Sequence, residues 1–257
     1  MKMKDKKEED RLKKKLHKTE LQEAKKRKRQ EPEIGRKNDT IDENPKILIT
    51  CEGLNTEKDY FSKFKIPSMD LEVIGIGDNT LSLVNKTIKI RDSKAKNYYE
   101  EVWCVFDADP KPDNPKQLQN FNSAIWEAGR NGINVAYSHQ AFEYWILLHF
   151  NNYQGEPMDR KLYKNALNKF LKAFGLKYDD NSDDRGKSIS DDLFTVLMAK
   201  ENGKRRICLA IERAEKIYDD LDLSNPAKNE SSTTVFQLVK RLLGIDLDNP
   251  CEKNRFF

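Results

Sequence analysis

Three carboxylates in this sequence follow strand-like segments closely enough to form a metal site. Glu52 comes directly after the apolar run KILITC (residues 46–51), and Asp107 and Asp109 follow a second run, VWCVF (residues 102–106). Carboxylate oxygens are the hard ligands that Mg²⁺ and Mn²⁺ prefer, and these ions commonly bridge to substrate phosphates. The pattern therefore predicts a Mg²⁺ or Mn²⁺ site in which Asp107 and Asp109 hold the metal. Glu52 would be a further ligand or the general acid/base.

An alternation of strand-like and helix-like segments explains how these acids could meet. Such βαβ alternation predicts an α/β fold with a mainly parallel, doubly wound sheet. Ligands bind these sheets outside the carboxyl ends of the strands, where Glu52, Asp107 and Asp109 lie. The predicted strands are 46–51, 71–76, 102–106 and 133–138, and the predicted connecting helices are 56–65, 80–95 and 116–130.

Beyond residue 140 the pattern becomes helical. We expect a basic N-terminal arm and linker (1–45), an α/β core (46–140) and a helical C-terminal region packed on that core (141–257). The predicted C-terminal helices are 142–150, 159–174, 189–200, 204–221 and 232–243.

Three further residues could serve the site. Glu57 lies in the first turn of a predicted helix, where it either stabilises the helix dipole or contacts the metal or its ligands. Glu143 lies among aromatic and apolar residues in AFEYWILLHF, where burying an unpaired carboxylate would be costly. It is a further metal ligand, a partner for a basic group, or a hydrogen-bonded core carboxylate. His139, at the end of the fourth strand, could contact phosphate, relay a proton, or serve packing alone.

The basic charge of the chain is concentrated at its N-terminus. Residues 1–30 hold 14 Lys/Arg against 6 Asp/Glu, whereas the remainder holds 33 against 37. Such an arm attracts nucleic acid through counterion release, and the alternative is a solvated charged helix. The candidate nucleic-acid-binding residues are Lys13, Lys14, Lys15, Lys25, Lys26, Arg27, Lys28 and Arg29.

Composition narrows the class of protein. Charged residues make up 35% of the chain and the mean hydropathy is −0.86. No stretch approaches the roughly 18 apolar residues of a membrane helix, and the N-terminus lacks the apolar region of a signal peptide. These features predict a cytoplasmic protein. The four cysteines show no CxxC spacing, so we expect neither a zinc ribbon nor a disulfide framework, and we expect Cys51 and Cys104 to be buried.

A glutamate–glycine pair after the first strand and DxD after the third resemble the Toprim domain of topoisomerases, primases and OLD-type nucleases. The resemblance is closer to the RloB-like proteins of prokaryotic restriction and phage-defence loci. It is carried by ILITCEGLNTEKDYF (47–61), VWCVFDADP (102–110), AFEYWILLHF (141–150) and STTVFQLVKRLL (232–243).

The resemblance implies a Toprim-like core with metal-dependent nuclease activity on DNA or RNA. It also implies a role in antiphage defence or abortive infection beside an ATPase partner of the ABC or AAA type. Glu52 takes the place of the Toprim glutamate, and Asp107 and Asp109 take the place of the metal-binding pair.

Two alternatives are open. The chain could be a non-catalytic module that docks a partner ATPase through its helical C-terminal half. It could also resemble the haloacid dehalogenase-like phosphatases, which use DxD as nucleophile and acid. Those enzymes carry DxD after the first core strand, whereas here it follows the third.

Overall fold

The computed structural model describes residues 13–23, 25, 44–111, 114, 116–153, 158–178, 188–246 and 251. The chain divides into two compact units, Met1–Glu43 and Asn44–Phe257. In the first unit, residues 13–23 are helical and their side chains are exposed. The elements named below all belong to the second unit. No helix in the described ranges is long and apolar enough to cross a membrane.

A four-stranded parallel sheet forms the centre of the second unit. Its strands lie in the order β2–β1–β3–β4, and each neighbouring pair is parallel. This confirms the predicted α/β fold with a parallel sheet. The strands are β1 (Lys46–Cys51), β2 (Asp70–Gly75), β3 (Glu101–Asp107) and β4 (Asn134–Ser138).

Both faces of the sheet are buried because successive side chains of a strand point to opposite faces. On one face, Ile47 and Ile49 of β1 pack in the same cluster as Val105 of β3. On the other face, Leu48 packs with Cys104. Burial on both sides explains why these strands read as continuous apolar runs.

Three helices connect the strands, and they cover both faces. The helices are α1 (Thr56–Ser62), α2 (Thr80–Asp92) and α3 (Lys116–Arg130). Helix α1 contributes Tyr60 and Phe61 to the Ile47 face, whereas α2 and α3 pack on the Leu48 face. The side chain of Asn79 caps α2 by accepting the N–H of Ser82 at 3.1 Å.

The C-terminal half is helical as predicted, and its helices extend the core on the Ile47 face. Residues from every α-helix that the structure describes in this half belong to that one apolar cluster. They are α4 (Glu143–Leu148), α5 (Arg160–Leu171), α6 (Asp191–Met198), α7 (Arg206–Tyr218) and α8 (Val235–Leu243), with short 3₁₀ helices at Lys172–Phe174 and Pro226–Lys228.

A short antiparallel hairpin between α6 and α7 was not predicted. Strands β5 (Lys200–Glu201) and β6 (Lys204–Arg205) pair across Asn202 and Gly203, whose φ angles are 51° and 84°. A two-residue turn of this kind needs positive φ, and Asn-Gly is the sequence most suited to it. The predicted helices 189–200 and 204–221 therefore extended into residues that form the hairpin.

The expectation about cysteines was right for one pair and wrong for the other. Cys51 and Cys104 are free and buried, as predicted. Cys208, in α7, is instead bonded to Cys251, 43 residues further along the chain. A short-range motif such as CxxC gives no sign of so distant a pairing.

Candidate functional site

Glu52 lies at the carboxyl end of β1, where the chain turns toward α1. Its backbone N–H donates to the carbonyl of Val105 at 2.9 Å, and its own carbonyl accepts the N–H of Gly77 at 3.0 Å. The partly buried side chain accepts a long hydrogen bond, 3.5 Å, from the hydroxyl of Thr80 to Oε2. These contacts to β3 and to the segment after β2 hold Glu52 at the edge of the sheet.

The loop after Glu52 depends on a close approach between Gly53 and Glu57. A Cβ added to Gly53 would lie 2.0 Å from Oε2 of Glu57, so any larger residue at this position would force this carboxylate to move. Glu57 is 7% exposed and belongs to the first turn of α1. It therefore has the position of a helix-dipole carboxylate and also lies beside the predicted site.

Asp107 is the last residue of β3, and its side chain reaches the start of α4. Its Oδ2 accepts the backbone N–H of Phe142 at 3.1 Å. In the sheet, Asp107 is opposite Ser138 of β4. Its carboxylate therefore connects the sheet edge to the first of the C-terminal helices.

Asp109 adopts a backbone conformation that most residues avoid. Its φ is 40°, in the left-handed region that Asn and Asp tolerate better than other side chains. Oδ1 accepts a hydrogen bond from Nη1 of Arg160, and Nζ of Lys111 lies 3.3 Å from Oδ2. Both oxygens of this carboxylate thus face cationic groups.

A cavity of about 260 Å³ opens between these elements. Glu143, 5% exposed, contributes to its wall and accepts a hydrogen bond from the hydroxyl of Tyr178 at 2.9 Å. Glu143 is therefore a hydrogen-bonded buried carboxylate that also faces the cavity. The described lining residues are Gly53, Leu54, Asn55, Thr56, Glu57, Asp107, Phe142, Glu143 and Arg160.

The surroundings of Glu52 make its proton hard to remove. Burial raises the pKa of this carboxyl from 4.5 to about 7, and the charges of Glu57 and Asp109 act in the same direction. Hydrogen bonds from the Asp107 backbone and from Thr80 oppose the rise only in part. A pKa near 7 suits a group that exchanges protons at neutral pH.

Asp107 experiences the same effects more strongly. Burial raises its pKa well above the ordinary 3.8, and the charges of Glu57, Glu143 and Glu52 raise it further, while Arg160 lowers it. Carboxylates from the end of β1, from α1 and from α4 therefore all act on the charge of Asp107. We call these residues the acid cluster: Glu52, Glu57, Asp107, Asp109 and Glu143.

The family model described as RloB-like protein matches residues 47–242. The chain belongs to the RloB-like family. The match spans the whole acid cluster, Arg160 and all four sheet strands apart from Lys46 at the start of β1. No curated protein and no solved structure matches the chain.

The donor types of the acid cluster in this RloB-like chain fit a hard divalent cation. All five side chains offer carboxylate oxygens, and a bound cation would relieve the repulsion that helps to raise the pKa values of Glu52 and Asp107. Across the part of the chain that the structure describes, no three His, Cys, Asp or Glu side chains converge closely enough to hold a metal ion. The predicted ligands Glu52, Asp107, Asp109 and Glu143 thus match Mg²⁺ or Mn²⁺ in chemistry, and binding would require them to move closer together.

His139 lies against a C-terminal loop. Its ring Nε2 is 2.9 Å from the carbonyl oxygen of Ala227, and Nδ1 is 3.4 Å from a carboxylate oxygen of Glu230. Its backbone N–H donates to the carbonyl of Ser232 at 2.9 Å. At 2% exposed, His139 has the contacts expected of the packing alternative.

The predicted nucleic-acid-binding residues are only partly described. Lys13, Lys14, Lys15 and Lys25 have helical backbone and exposed side chains. The other four, Lys26, Arg27, Lys28 and Arg29, lie outside the described residues.

Sequence reasoning missed several partners of the acid cluster, Arg160 above all. Arg160 is the first residue of α5, where the side chain of Asp159 caps the helix by accepting the N–H of Lys161 at 2.8 Å. An aspartate at this position is a typical N-cap, so the start of the helix could be predicted from the sequence. No local pattern connects Arg160 to Asp109, which lies 51 residues earlier. Thr80 and Tyr178 were missed for the same reason, whereas Lys111 is close to Asp109 in the sequence and could have been considered.

Proposed function

We propose that this RloB-like chain is a Mg²⁺- or Mn²⁺-dependent nuclease that hydrolyses phosphodiester bonds in DNA or RNA. The observation that carries the proposal is the acid cluster, which gathers carboxylates from two strand ends and two helices. Glu57, Asp107 and Glu143 line the cavity, and the charges of Glu52 and Asp109 act within the same cluster. Burial and the neighbouring carboxylates raise the pKa values of Glu52 and Asp107, and such perturbed carboxyl groups are concentrated at functional sites.

Each acid has a distinct role in this proposal. Asp107 and Asp109 would hold the metal, with Glu143 as a further ligand. A divalent ion held by these carboxylates would supply positive charge to the scissile phosphate and to the attacking water. Glu52, whose pKa of about 7 leaves it partly protonated at neutral pH, would take up or deliver the proton.

Two other features support nucleic acid as the substrate. The N-terminal arm, with its excess of Lys and Arg, would bind the phosphate backbone without reading sequence. Arg160 adds a guanidinium at the wall of the cavity. We place the activity in the cytoplasm, in antiphage defence or abortive infection beside an ATPase of the ABC or AAA type. The resemblance to proteins of restriction and phage-defence loci supports that setting.

Cleavage assays with matched variants test the proposal. The purified chain is incubated with labelled DNA and with total RNA, in Mg²⁺, Mn²⁺ or EDTA, with and without an ATPase of the ABC or AAA type. We expect metal-dependent cleavage that Asp107→Asn and Asp109→Asn abolish. Asn is close to Asp in size and tolerates left-handed backbone, so both variants should fold. Asp220→Asn, at an exposed position, is the control. Cleavage retained by both site variants would overturn the metal assignment.

A titration of thermal stability with divalent ions separates the nuclease from a non-catalytic module. A ligand that binds only the folded state raises its stability, by about 2.7 kcal/mol at a hundredfold excess over Kd. We expect such stabilisation in the wild type and its loss in Asp107→Asn. A module without a working site would show no metal-dependent rise in either protein.

A further inference from the structure

Arg160 is positioned to interact with more than one of the acids. Its guanidinium donates to Asp109, and the carboxylates of Asp107 and Glu143 also act on its charge. Among the described residues that line the cavity, Arg160 is the only cation. Its side chain is 38% exposed, against 19% for Asp109, so the arginine is the more accessible member of the pair.

The pairing occupies Asp109, which the proposed function requires as a metal ligand. Arg160 takes one oxygen of the carboxylate and Lys111 lies beside the other. A divalent ion that binds Oδ1 of Asp109 must therefore compete with the guanidinium of Arg160, and one that binds Oδ2 meets the ammonium of Lys111. Because Arg160 starts α5 and its side chain is long and partly exposed, it can leave Asp109 without a change in the helix.

A displaced Arg160 would remain beside the cavity. A guanidinium presents a planar fork of N–H donors that matches two phosphate oxygens at once. A phosphodiester in the cavity would supply those oxygens.

We infer that Arg160 is a substrate-binding residue that exchanges partners, pairing with Asp109 when no divalent ion is bound and with a phosphate oxygen of the nucleic acid when the ion takes Asp109. The inference rests on the proposed function and adds a competition between Arg160 and the metal. A purely structural ion pair predicts the opposite for metal binding, because loss of Arg160 would then loosen Asp109 and weaken the metal site.

Two measurements on the full chain test the exchange, with Arg160→Gln as the variant and Lys161→Gln as the control. Lys161 is the next residue of α5, is exposed, and carries the same charge. The first measurement is the Kd for Mn²⁺ without nucleic acid, by titration calorimetry. Removing the competing charge should lower that Kd by about threefold to tenfold in Arg160→Gln, while Lys161→Gln stays near wild type.

The second measurement is the KM for the nucleic acid at saturating Mn²⁺. We expect a KM raised by about tenfold or more in Arg160→Gln, because a charge-assisted contact to phosphate is lost. Arg160→Lys keeps the charge but not the fork. Its Kd for Mn²⁺ should stay within about twofold of the wild-type value, while its KM for the nucleic acid should still be raised. This variant replaces Arg160→Gln in the test if Arg160→Gln does not fold.

The outcomes separate this inference from the proposed function. If the wild type binds Mn²⁺ and cleaves nucleic acid, but Arg160→Gln binds Mn²⁺ equally or more weakly, the exchange is refuted. A lowered Kd with an unchanged KM refutes it as well, because the phosphate is then not the second partner. If the wild type neither binds Mn²⁺ nor cleaves, the proposed function fails and this inference fails with it.

Discussion

Replacing Glu52 by Gln should stabilise the metal-free protein above pH 7 and leave its stability unchanged below about pH 4.5. The pKa of Glu52 in the folded state is about 7, against an ordinary 4.5, so the folded protein holds this proton more tightly than the unfolded chain does. Wild-type stability from this residue therefore falls as the pH rises from about 4.5 to about 7 and is constant above that range. Gln does not titrate, so the variant avoids this loss.

The magnitude follows from the difference between the two pKa values. Each pH unit corresponds to about 1.36 kcal/mol, which gives an upper limit of about 3.4 kcal/mol for the interval between 4.5 and about 7. Partial exposure of the side chain reduces the effect, so we expect about 1–3 kcal/mol at pH 8. The amide oxygen of Gln can still accept the hydrogen bonds from Thr80 and from the backbone of Asp107, so little else changes.

The assay is urea unfolding of wild type and Glu52→Gln in EDTA, at intervals from pH 4 to pH 8.5. Urea is preferred to guanidinium chloride because the salt would screen the charges being measured. Glu127→Gln is the control, since Oε1 of Glu127 accepts a hydrogen bond from Asn131 that Gln can also accept. A constant difference across the whole pH range would show that Glu52 does not titrate as proposed.

The same variant also tests the role of Glu52 in cleavage. An amide cannot take up or deliver a proton, so Glu52→Gln should lose metal-dependent cleavage while its metal-free form is more stable. A variant that is less stable than wild type at pH 8 and still active would refute both the electrostatic argument and the catalytic role.

Three further predictions concern the loop, the arm and the disulfide. Gly53→Ala should lower stability by about 1–3 kcal/mol in urea unfolding, because the new Cβ would lie 2.0 Å from the Glu57 carboxylate and force it to move. Gly129→Ala is its control, since a Cβ there meets nothing within 4 Å, and an equal effect in both would contradict the close approach. Deleting residues 1–30 should weaken nucleic-acid binding and flatten its salt dependence in anisotropy titrations, because an excess of eight basic residues is removed. If the salt dependence of binding were unchanged, the arm would not contact nucleic acid and would be only a solvated charged segment. Cys251→Ser should lower stability by about 2–4 kcal/mol under non-reducing conditions, because the bond to Cys208 closes a long loop. Dithiothreitol should then destabilise the wild type but not the variant, and a wild type indifferent to reduction would show that the bond contributes nothing.

The parts of the fold that were predicted correctly had strong local signals. The run KILITC predicted β1 at residues 46–51, and the strand occupies those residues because Pro45 and the Glu52–Gly53 turn bound it. Helix α3 was likewise predicted at 116–130. The β5–β6 hairpin was not predicted, although Asn202–Gly203 is a sequence typical of such a turn. Its strands are only two residues long and show no apolar alternation, so they give no strand pattern.

The residues of the site also differ in how far the sequence could predict them, depending on whether their signal is local or distant. Glu52, Asp107 and Asp109 could be found because each follows a strand, and a parallel sheet brings strand ends to one edge. Glu143 could be singled out as an acid within an apolar run. Its partner Tyr178 could not, because nothing in the sequence relates two residues 35 positions apart in different helices and loops.

The carboxylates of the acid cluster are stabilised in different ways. Glu143 accepts a hydrogen bond from the hydroxyl of Tyr178, and Asp109 is paired with the cationic side chains of Arg160 and Lys111. Burial instead favours the protonated forms of Glu52 and Asp107. A cation that binds the cluster must therefore compete with proton binding at Glu52 and Asp107 and with the pairing of Arg160 to Asp109. Proton binding, arginine pairing and metal binding then compete for the same oxygens, so pH and metal concentration act on one equilibrium rather than on separate parts of the molecule.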